Sequence, residues 1–260
     1  MLRTRVISAV IGILGLMVVV YQGGIWWLVF SAALAILCLR EFYLAAQQAE
    51  YKPVWSLGFL ILGWAFLVAY RPELQNHILT ALVIISAMVL VISYPRHHIM
   101  DLAVTWLGAL YIGILSSYIM RLGFLPHHFP VIITALFVTW AADTGGYFAG
   151  NWWGKRKMVP ELSPNKTWMG FLGGLTLSVA VGMAGIWLMP GHALYQYFGL
   201  GLAGGILAPV GDLFASAIKR TFKIKDFGHV IPGHGGFLDR FDSLLVVAPL
   251  IYYFAAGIGG

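Results

Sequence analysis

The feature that most constrains this chain is a series of long apolar runs that recurs along its whole length. A helix needs about 20 predominantly apolar residues to cross a bilayer, with a range of roughly 17–25. About nine runs approach that length: 6–21, 24–39, 54–70, 78–94, 102–120, 129–150, 168–188, 194–218 and 244–260. The runs are continuously apolar, whereas the strands of a membrane barrel alternate. Because a lipid-exposed helix satisfies its own backbone groups, the pattern predicts an all-α, polytopic integral membrane protein with about nine transmembrane helices.

Composition narrows the class of protein further. Of the 260 residues, 60% are apolar and 10% are charged. A soluble domain carries roughly 25% charged residues, so this chain has too few to coat a surface that faces water. A soluble enzyme and a disordered protein are both excluded. Cys38 is the one cysteine of the sequence, so no internal disulfide supports the fold.

The basic residues predict an orientation. When the nine runs are taken as spans, all but two of the 16 Lys and Arg fall in one set of loops, and the exceptions are Arg71 and Arg121. Such a bias places the basic side in the cytoplasm. The N-terminus is therefore predicted to be cytoplasmic, and the formal charge of +6 is explained without a nucleic-acid partner. A signal peptide is the alternative for the first run, but no small-x-small cleavage pattern follows it.

Polarity divides the chain into two parts. Residues 1–130 are predicted to form N-terminal transmembrane helices, about five spans, with few polar groups beyond the loops. Residues 131–260 are predicted to form a C-terminal catalytic region of about four spans with cytoplasmic loops. Residues 140–243 hold six of the ten acidic residues. Any chemistry is therefore expected in the second part.

Two aspartates lie in apolar surroundings. Asp143 is inside one run and Asp212 is near the end of another. An ionised aspartate at the centre of a spanning helix costs roughly 2.5–3.5 kcal/mol on insertion scales. A cation, a basic partner or a watery cavity should offset that cost. The alternative is a structural ion pair or a helix-end cap.

The segment from Asp212 to Asp242 is dense in charge. Its acids and bases are Asp212, Lys219, Arg220, Lys223, Lys225, Asp226, Asp239, Arg240 and Asp242. Carboxylates without cysteine suit a hard cation such as Mg²⁺, and the bases suit phosphate. If the helix continues past Asp212, then Ser216, Lys219 and Lys223 share a face. The alternative is a salt-bridged cytoplasmic loop.

Two further segments suit anions. Residues 232–236 read PGHGG, which is either a tight turn or a run of exposed N–H groups that cradles phosphate. His234 in that run either contacts phosphate or only shapes the turn. Ser163-Pro164 is typical of a helix start, which would place Lys166 and Thr167 at a helix N-terminus, where anions bind.

Two other phosphate or metal motifs are excluded. Residues 150–156 read GNWWGKR, but a P-loop needs four residues between its glycines and Ser or Thr where Arg156 stands. His229 and His234 are five apart with Pro232 between them, which makes them poor helical zinc ligands.

The motifs of the second half together resemble a known signature, that of the phosphatidate cytidylyltransferases (CDP-diacylglycerol synthases). The segments that carry the resemblance are Ser216-x-x-Lys219-Arg220, Lys225-Asp226, Pro232-Gly233-His234-Gly235-Gly236 and Asp239-Arg240-Phe241-Asp242. Ser163-Pro164-x-Lys166-Thr167 and Ala142-Asp143-Thr144-Gly145 also resemble that family. The N-terminal half is similar to the family only as a row of apolar helices.

The resemblance implies a reaction and a site. CTP and phosphatidate would give CDP-diacylglycerol and pyrophosphate with Mg²⁺ as cofactor, and a second, monovalent cation such as K⁺ is compatible. Asp212 and Asp239 would be the metal ligands. The catalytic candidates are Asp212, Asp239, Lys219, Asp226 and Asp242. The substrate-binding candidates are Asp143, Ser163, Lys166, Thr167, Ser216, Arg220, Lys225, His234, Gly235, Gly236 and Arg240.

The resemblance also bears on location and alternatives. It implies a bacterial inner-membrane protein whose active site faces the cytoplasm, and it is compatible with a homodimer. One alternative is another CTP-dependent membrane lipid enzyme, such as a polyprenol or phytol kinase or an archaeal lipid cytidylyltransferase. A second alternative is a transporter that uses intramembrane aspartates for ions, which would be expected to show repeats and broken helices.

Overall fold

The chain folds into a series of α-helices, as the apolar runs predict. The computed structural model describes residues 2–228 and 235–257, and these form nine α-helices and one β-hairpin. The helices are α1 Leu2–Gln22, α2 Gly24–Gln48, α3 Trp55–Tyr70, α4 Gln75–Ser93, α5 Ile99–Leu122, α6 His128–Trp153, α7 Trp168–Leu188, α8 Leu194–Thr221 and α9 Leu238–Ala256. A short 3-10 helix, Pro72–Leu74, precedes α4, and strands β1 (Lys157–Val159) and β2 (Ser163–Thr167) pair between α6 and α7.

Most of these helices suit a membrane. Within the described residues, six are long and apolar enough to cross one: α2, α4 with the preceding 3-10 helix, α5, α6, α7 and α8. Residues Gly12–Gln22 of α1 and the whole of α3 form shorter apolar helices. The prediction of an all-α, polytopic integral membrane protein is confirmed. The count of nine spans and the cytoplasmic N-terminus stay predictions.

Hydrogen bonds near the helix ends show that α2 and α5 are antiparallel and that α9 begins beside α2. The Gly24 N–H at the start of α2 donates to the Gly123 carbonyl after α5, at 3.2 Å. The Lys52 N–H after α2 donates to Asp101 on the first turn of α5, at 2.6 Å. The Leu238 N–H at the start of α9 donates to Glu41 in the second half of α2. The end of α2, the start of α5 and the start of α9 therefore lie on the same side of the packed helices.

Glycines bring α6 and α7 unusually close together. A Cβ on Gly145 of α6 would lie 2.5 Å from the Gly173 carbonyl oxygen of α7. A Cβ on Gly174 would overlap the Ala142 carbonyl oxygen. Small residues are what allow such approach between membrane helices. This packing fixes Asp143, one residue after Ala142, beside the start of α7.

Three local predictions are wrong. Ser163-Pro164 does not begin a helix, because residues 163–167 form β2, with Val159 opposite Ser163 and Lys157 opposite Thr167. The residue before a proline is restricted to extended conformations, which suits a strand. Helix α7 begins only at Trp168. Lys223 does not share a helical face with Ser216 and Lys219, since α8 ends at Thr221 and Lys223 has a φ of +56°.

The third error concerns helix lengths. The apolar run 24–39 ends before the polar residues that continue the same helix, and the run 244–260 begins after the polar residues that start its helix. Helix α2 extends to Gln48, and α9 begins at Leu238. The extensions carry Glu41 on α2 and both Asp239 and Asp242 on α9, so these three acids lie on helices rather than in loops.

Candidate active site

A cavity of about 300 Å³ lies where α6, α7 and α8 meet the β-hairpin. Five of the predicted site residues line it: Asp143, Ser163, Lys166, Thr167 and Asp212. Other lining residues include Gly146, Tyr147, Met158, Asn165, Gly170 and Phe171. One opening therefore gathers polar groups that are nearly 70 residues apart in the sequence and come from two apolar helices and a strand.

An ion pair crosses this cavity. The Lys166 Nζ of β2 lies 2.5 Å from the Asp212 Oδ2 of α8. Both side chains keep about a quarter to a third of their surface exposed, at 25% and 33%. Asp143 of α6 is accessible from the same opening and lies within electrostatic range of both Lys166 and Asp212. Lys166 is therefore the basic partner of Asp212, and it remains reachable by a ligand.

The start of α7 forms one wall of the cavity. Thr167 is the N-cap residue of α7, and its Oγ1 accepts a hydrogen bond from the Gly170 N–H at 3.0 Å. Thr167 therefore does lie at a helix N-terminus, while Lys166 precedes it on the strand. Ser, Thr, Asp and Asn are the residues that stabilise this position. The positive end of the α7 dipole faces a cavity in which an anion would be stabilised.

A second polar cluster is built around Asp239. Its Oδ1 lies 2.7 Å from the Lys219 Nζ, and both side chains are largely buried, with exposed fractions of 6% for Asp239 and 14% for Lys219. Its Oδ2 accepts hydrogen bonds from the Phe227 N–H at 2.8 Å and the Gly236 N–H at 3.2 Å. The Lys219 ammonium also lies 5.5 Å from the centre of the Phe227 ring. Asp239 therefore joins α8, α9 and the two chain segments on either side of residues 229–234.

The two clusters are neighbours because α8 packs tightly on α9. A Cβ on Gly211 would lie 2.6 Å from the Asp242 carbonyl oxygen, so the backbones approach one residue away from Asp212. Asp242 is buried and lies within electrostatic range of Asp212, Lys219 and Asp143. The cavity and the Asp239 cluster therefore lie next to each other, and together they make up the charged region of the protein.

The remaining predicted residues lie at the margin of this region. Ser216 is partly buried on α8 between the two clusters, and Arg240 interacts electrostatically with Asp143. Arg220 is exposed and its Nε donates to the Leu162 carbonyl of the hairpin at 3.3 Å. Lys225 and Asp226 are exposed on the loop after α8.

The glycine-rich segment is described only in part. Gly235 has a φ of +83°, which favours glycine, and a Cβ there would lie 3.5 Å from the Asp239 Oδ2 and 3.9 Å from the Asp226 Oδ1. Gly236 donates its N–H to Asp239. His234 and the rest of residues 229–234 lie outside the described residues.

The acids of the cavity are chemically suited to Mg²⁺. Mg²⁺ prefers oxygen ligands and usually takes one or two protein carboxylates, with phosphate oxygens and water completing its shell. Asp143 and Asp212 supply two such carboxylates to one cavity, whereas Asp239 is not among the described lining residues. Over the described ranges, no group of three or more His, Cys, Asp or Glu could hold a metal by itself. The assignment of Asp212 and Asp239 as the metal ligands stays a prediction.

Nearly the whole chain is similar to one known protein family. The model of the cytidylyltransferase family matches residues 3–257, so the match includes both halves of the chain. The chain belongs to the cytidylyltransferase family. The resemblance that the motifs of the second half indicated is thereby confirmed, and it extends to the apolar first half.

Individual relatives agree with this membership. Proteins named phosphatidate cytidylyltransferase from Staphylococcus aureus and from Staphylococcus saprophyticus are each 32% identical to this cytidylyltransferase over 259 residues. One from Staphylococcus epidermidis is 31% identical. Each alignment covers 96% of this chain and 97% of the relative. The similarity therefore spans whole proteins of nearly equal length.

Sequence reasoning missed several groups at the site of this cytidylyltransferase. Asn165 and Tyr147 line the cavity, but Asn165 is the unspecified position of the Ser163–Thr167 motif and Tyr147 lies outside the motifs that were singled out. Glu41 contacts the start of α9, although it lies in the other half of the sequence. Its signal was that it is the one acidic residue of α2, two residues after the end of the apolar run 24–39.

Proposed function

We propose that this protein transfers the cytidylyl group of CTP to phosphatidate, which gives CDP-diacylglycerol and pyrophosphate. The observation that carries the proposal is the cavity in which Lys166 and Asp212 form an accessible ion pair beside Asp143 and the N-terminus of α7. Such a site combines carboxylates with phosphate-binding groups. The names of the relatives and the membrane character of the fold support phosphatidate as the acceptor.

The chemistry needs charge neutralisation more than it needs a base. A phosphate oxygen of phosphatidate attacks the α-phosphorus of CTP, a new P–O bond forms, and the bond to the β-phosphate breaks. Pyrophosphate leaves with the electron pair of that bond. The lipid phosphate is already largely ionised near neutral pH, because its second pKa is about 6. The main barrier is the repulsion between two anions, which fixed positive charges and positioning reduce.

We assign the roles from the position of each residue. Lys166 and the first turn of α7, capped by Thr167, would bind phosphate at the cavity, with Ser163 beside them. Lys219 and Arg240 would offset charge on the α9 side. The other proposed substrate contacts are Asp143, Ser216, Arg220, Lys225, His234, Gly235 and Gly236, while Asp226 and Asp242 would support the site.

A divalent cation completes the proposal. Mg²⁺, when bound to acids of the charged region, would supply Lewis-acid stabilisation of the negative charge that develops on the leaving pyrophosphate. We propose Asp212 and Asp239 as its ligands, with a second cation such as K⁺ nearby.

Lys166 offers a direct test of phosphate binding. We expect Lys166→Ala to raise the apparent KM for CTP by roughly tenfold to a hundredfold, because a charge-assisted hydrogen bond contributes about 1.5–3 kcal/mol. Initial rates at varied CTP would be measured in detergent micelles that contain phosphatidate. Lys155→Ala makes the same charge change at an exposed position before the hairpin and serves as the control. An unchanged KM and kcat in Lys166→Ala would remove Lys166 from the site.

We further propose that the protein lies in the bacterial inner membrane, with this cavity on the cytoplasmic side. With nine spans, a C-terminal tag is expected to be labelled only from the non-cytoplasmic side, and a tag at the N-terminus only from the cytoplasm. Impermeant labelling of intact cells and of inverted vesicles would measure both. Cytoplasmic labelling of the C-terminus would mean that the number of spans is even.

The activity itself is tested with purified protein and CTP labelled in the cytidine. With phosphatidate and Mg²⁺ we expect label to enter the lipid phase, and we expect none when either is omitted. A panel of lipid acceptors separates this activity from that of another CTP-dependent lipid enzyme, which would prefer a polyprenol, phytol or archaeal lipid. Ion flux in liposomes without consumption of CTP would instead support a transporter. Homodimerisation stays a prediction that mass measurement in detergent would check.

A further inference from the structure

Glu41 is a buried acid for which the reaction scheme above has no role. It lies in the second half of α2 and only 2% of its surface is exposed. Burial of a carboxylate away from water is costly unless hydrogen bonds compensate it. The contacts of Glu41 therefore indicate why an acid occupies this position.

Glu41 caps a helix other than its own. Its Oε2 accepts a hydrogen bond from the Leu238 N–H at 2.9 Å, and the Phe237 N–H donates to the same carboxylate. These are the first free N–H groups of α9, whose own N-cap residue is Phe237 and supplies no side-chain cap. A carboxylate at a helix N-terminus satisfies such groups and interacts favourably with the helix dipole. Glu41 thus supplies from α2 the cap that α9 lacks.

The same carboxylate contacts the chain on both sides of residues 229–234. A Cβ on Gly228 would lie 2.6 Å from the Glu41 Oε1, and a Cβ on Gly236 would lie 2.5 Å from the Oε2. Only glycine permits this approach at both positions. Asp239 receives N–H groups from the same two segments, through Phe227 and Gly236. Glu41 and Asp239 therefore hold one pair of chain segments together.

We propose that Glu41 is a positioning residue for cytidylyl transfer, an inference that rests on the proposed function. By capping α9 and contacting Gly228 and Gly236, it fixes the carboxylate of Asp239, and the Lys219 ammonium paired with it, relative to Asp212 on α8. Glu41 does not touch the substrates. Its effect is geometric, and a displacement of about 1 Å at a catalytic group can lower a rate by about a hundredfold.

Three substitutions of Glu41 separate the effect of the position of its side chain from the effect of its charge. Glu41→Ala removes the cap, and we expect kcat at saturating CTP to fall roughly tenfold to a hundredfold, the usual effect of losing an outer-shell partner, with little change in KM. Glu41→Gln keeps the length and one acceptor oxygen, so a loss of about fivefold or less is expected from the weaker neutral hydrogen bond. Glu41→Asp keeps the charge but withdraws the carboxylate, and we expect it to resemble Glu41→Ala.

Asp101 provides a matched control for loss of stability alone. It is also buried, with 5% of its surface exposed, and it accepts the N–H groups of Lys52 at 2.6 Å and His98 at 2.8 Å. It joins the start of α5 to the loop after α2, outside the charged region. We expect Asp101→Ala to lower the yield of folded protein but to leave kcat per folded enzyme unchanged. All rates would refer to monodisperse protein from size-exclusion chromatography.

The outcomes test the proposed function and the role of Glu41 separately. If the unmodified protein forms no CDP-diacylglycerol, the proposed function fails. If it is active and Glu41→Ala keeps its kcat, or loses no more than Asp101→Ala does, the inference about Glu41 alone fails. If Glu41→Ala does not fold, the comparison of Glu41→Gln with Glu41→Asp replaces it. Equal kcat values in those two variants would overturn the positioning role.

Discussion

Replacement of Asp212 by asparagine is expected to remove turnover while the protein remains folded and inserted. Asp212 pairs with Lys166 in the cavity and is the proposed ligand of Mg²⁺. The amide would keep the shape of the side chain but lose the charge that holds both partners. We expect kcat to fall by at least about a hundredfold, which is comparable to the loss of one transition-state contact in other enzymes.

The stability of this variant should change little. Asp212 keeps a third of its side-chain surface exposed, and a partly exposed ion pair contributes only about 0–1 kcal/mol. Thermal unfolding in detergent and CDP-diacylglycerol formation would be measured on the same samples. Glu161→Gln makes the same charge change at an exposed position of the hairpin and should leave both unchanged. Full activity of Asp212→Asn would refute the assigned role.

Disruption of the Asp239–Lys219 pair is expected to affect both folding and turnover. The pair is largely buried, and Asp239 also receives two backbone N–H groups. Removal of one charge leaves the other buried without its partner, which typically costs about 3–5 kcal/mol. We therefore expect Asp239→Asn to lower the unfolding midpoint strongly, and also to abolish measurable formation of product.

A double variant, Asp239→Asn with Lys219→Met, separates these two effects. The amide side chain keeps an acceptor oxygen for the Phe227 and Gly236 N–H groups, and Lys219→Met removes the unpaired charge beside the Phe227 ring. Stability should then recover to near that of the unmodified protein, because uncharged replacements of buried pairs are often neutral. Turnover should stay absent. Recovery of turnover together with stability would mean that the pair is purely structural.

The helices were predictable because their cause is local. An apolar run long enough to span a bilayer has few alternatives to a helix, and over the described residues each run lies in a helix. Helix ends were less predictable. Helix α2 continues through Arg40 and Glu41, and α9 begins before Leu244, because tertiary contacts support polar turns that hydropathy assigns to loops.

The site was predictable in its residue types but not in its pairing. Asp143 and Asp212 were detectable because an acid in an apolar run needs compensation, and Lys166 supplies it. Sequence spacing could not show that Lys166 lies on a strand, since Ser163-Pro164 suits both an extended segment and a helix start. Glu41 was missed because its partner, Leu238, is 197 residues away, a separation that no local pattern encodes.

The central claim is that phosphatidate attacks the α-phosphorus of CTP at this charged region, so that the cytidylyl group is transferred to the lipid and pyrophosphate is released. The most direct measurement compares CTP labelled at the α-phosphate with CTP labelled at the γ-phosphate, using purified protein, phosphatidate and Mg²⁺. The account predicts that the α-label enters the lipid phase in a one-to-one ratio with released pyrophosphate, while the γ-label stays in water. Transfer of the γ-label to lipid, or release of pyrophosphate without a labelled lipid, would contradict it.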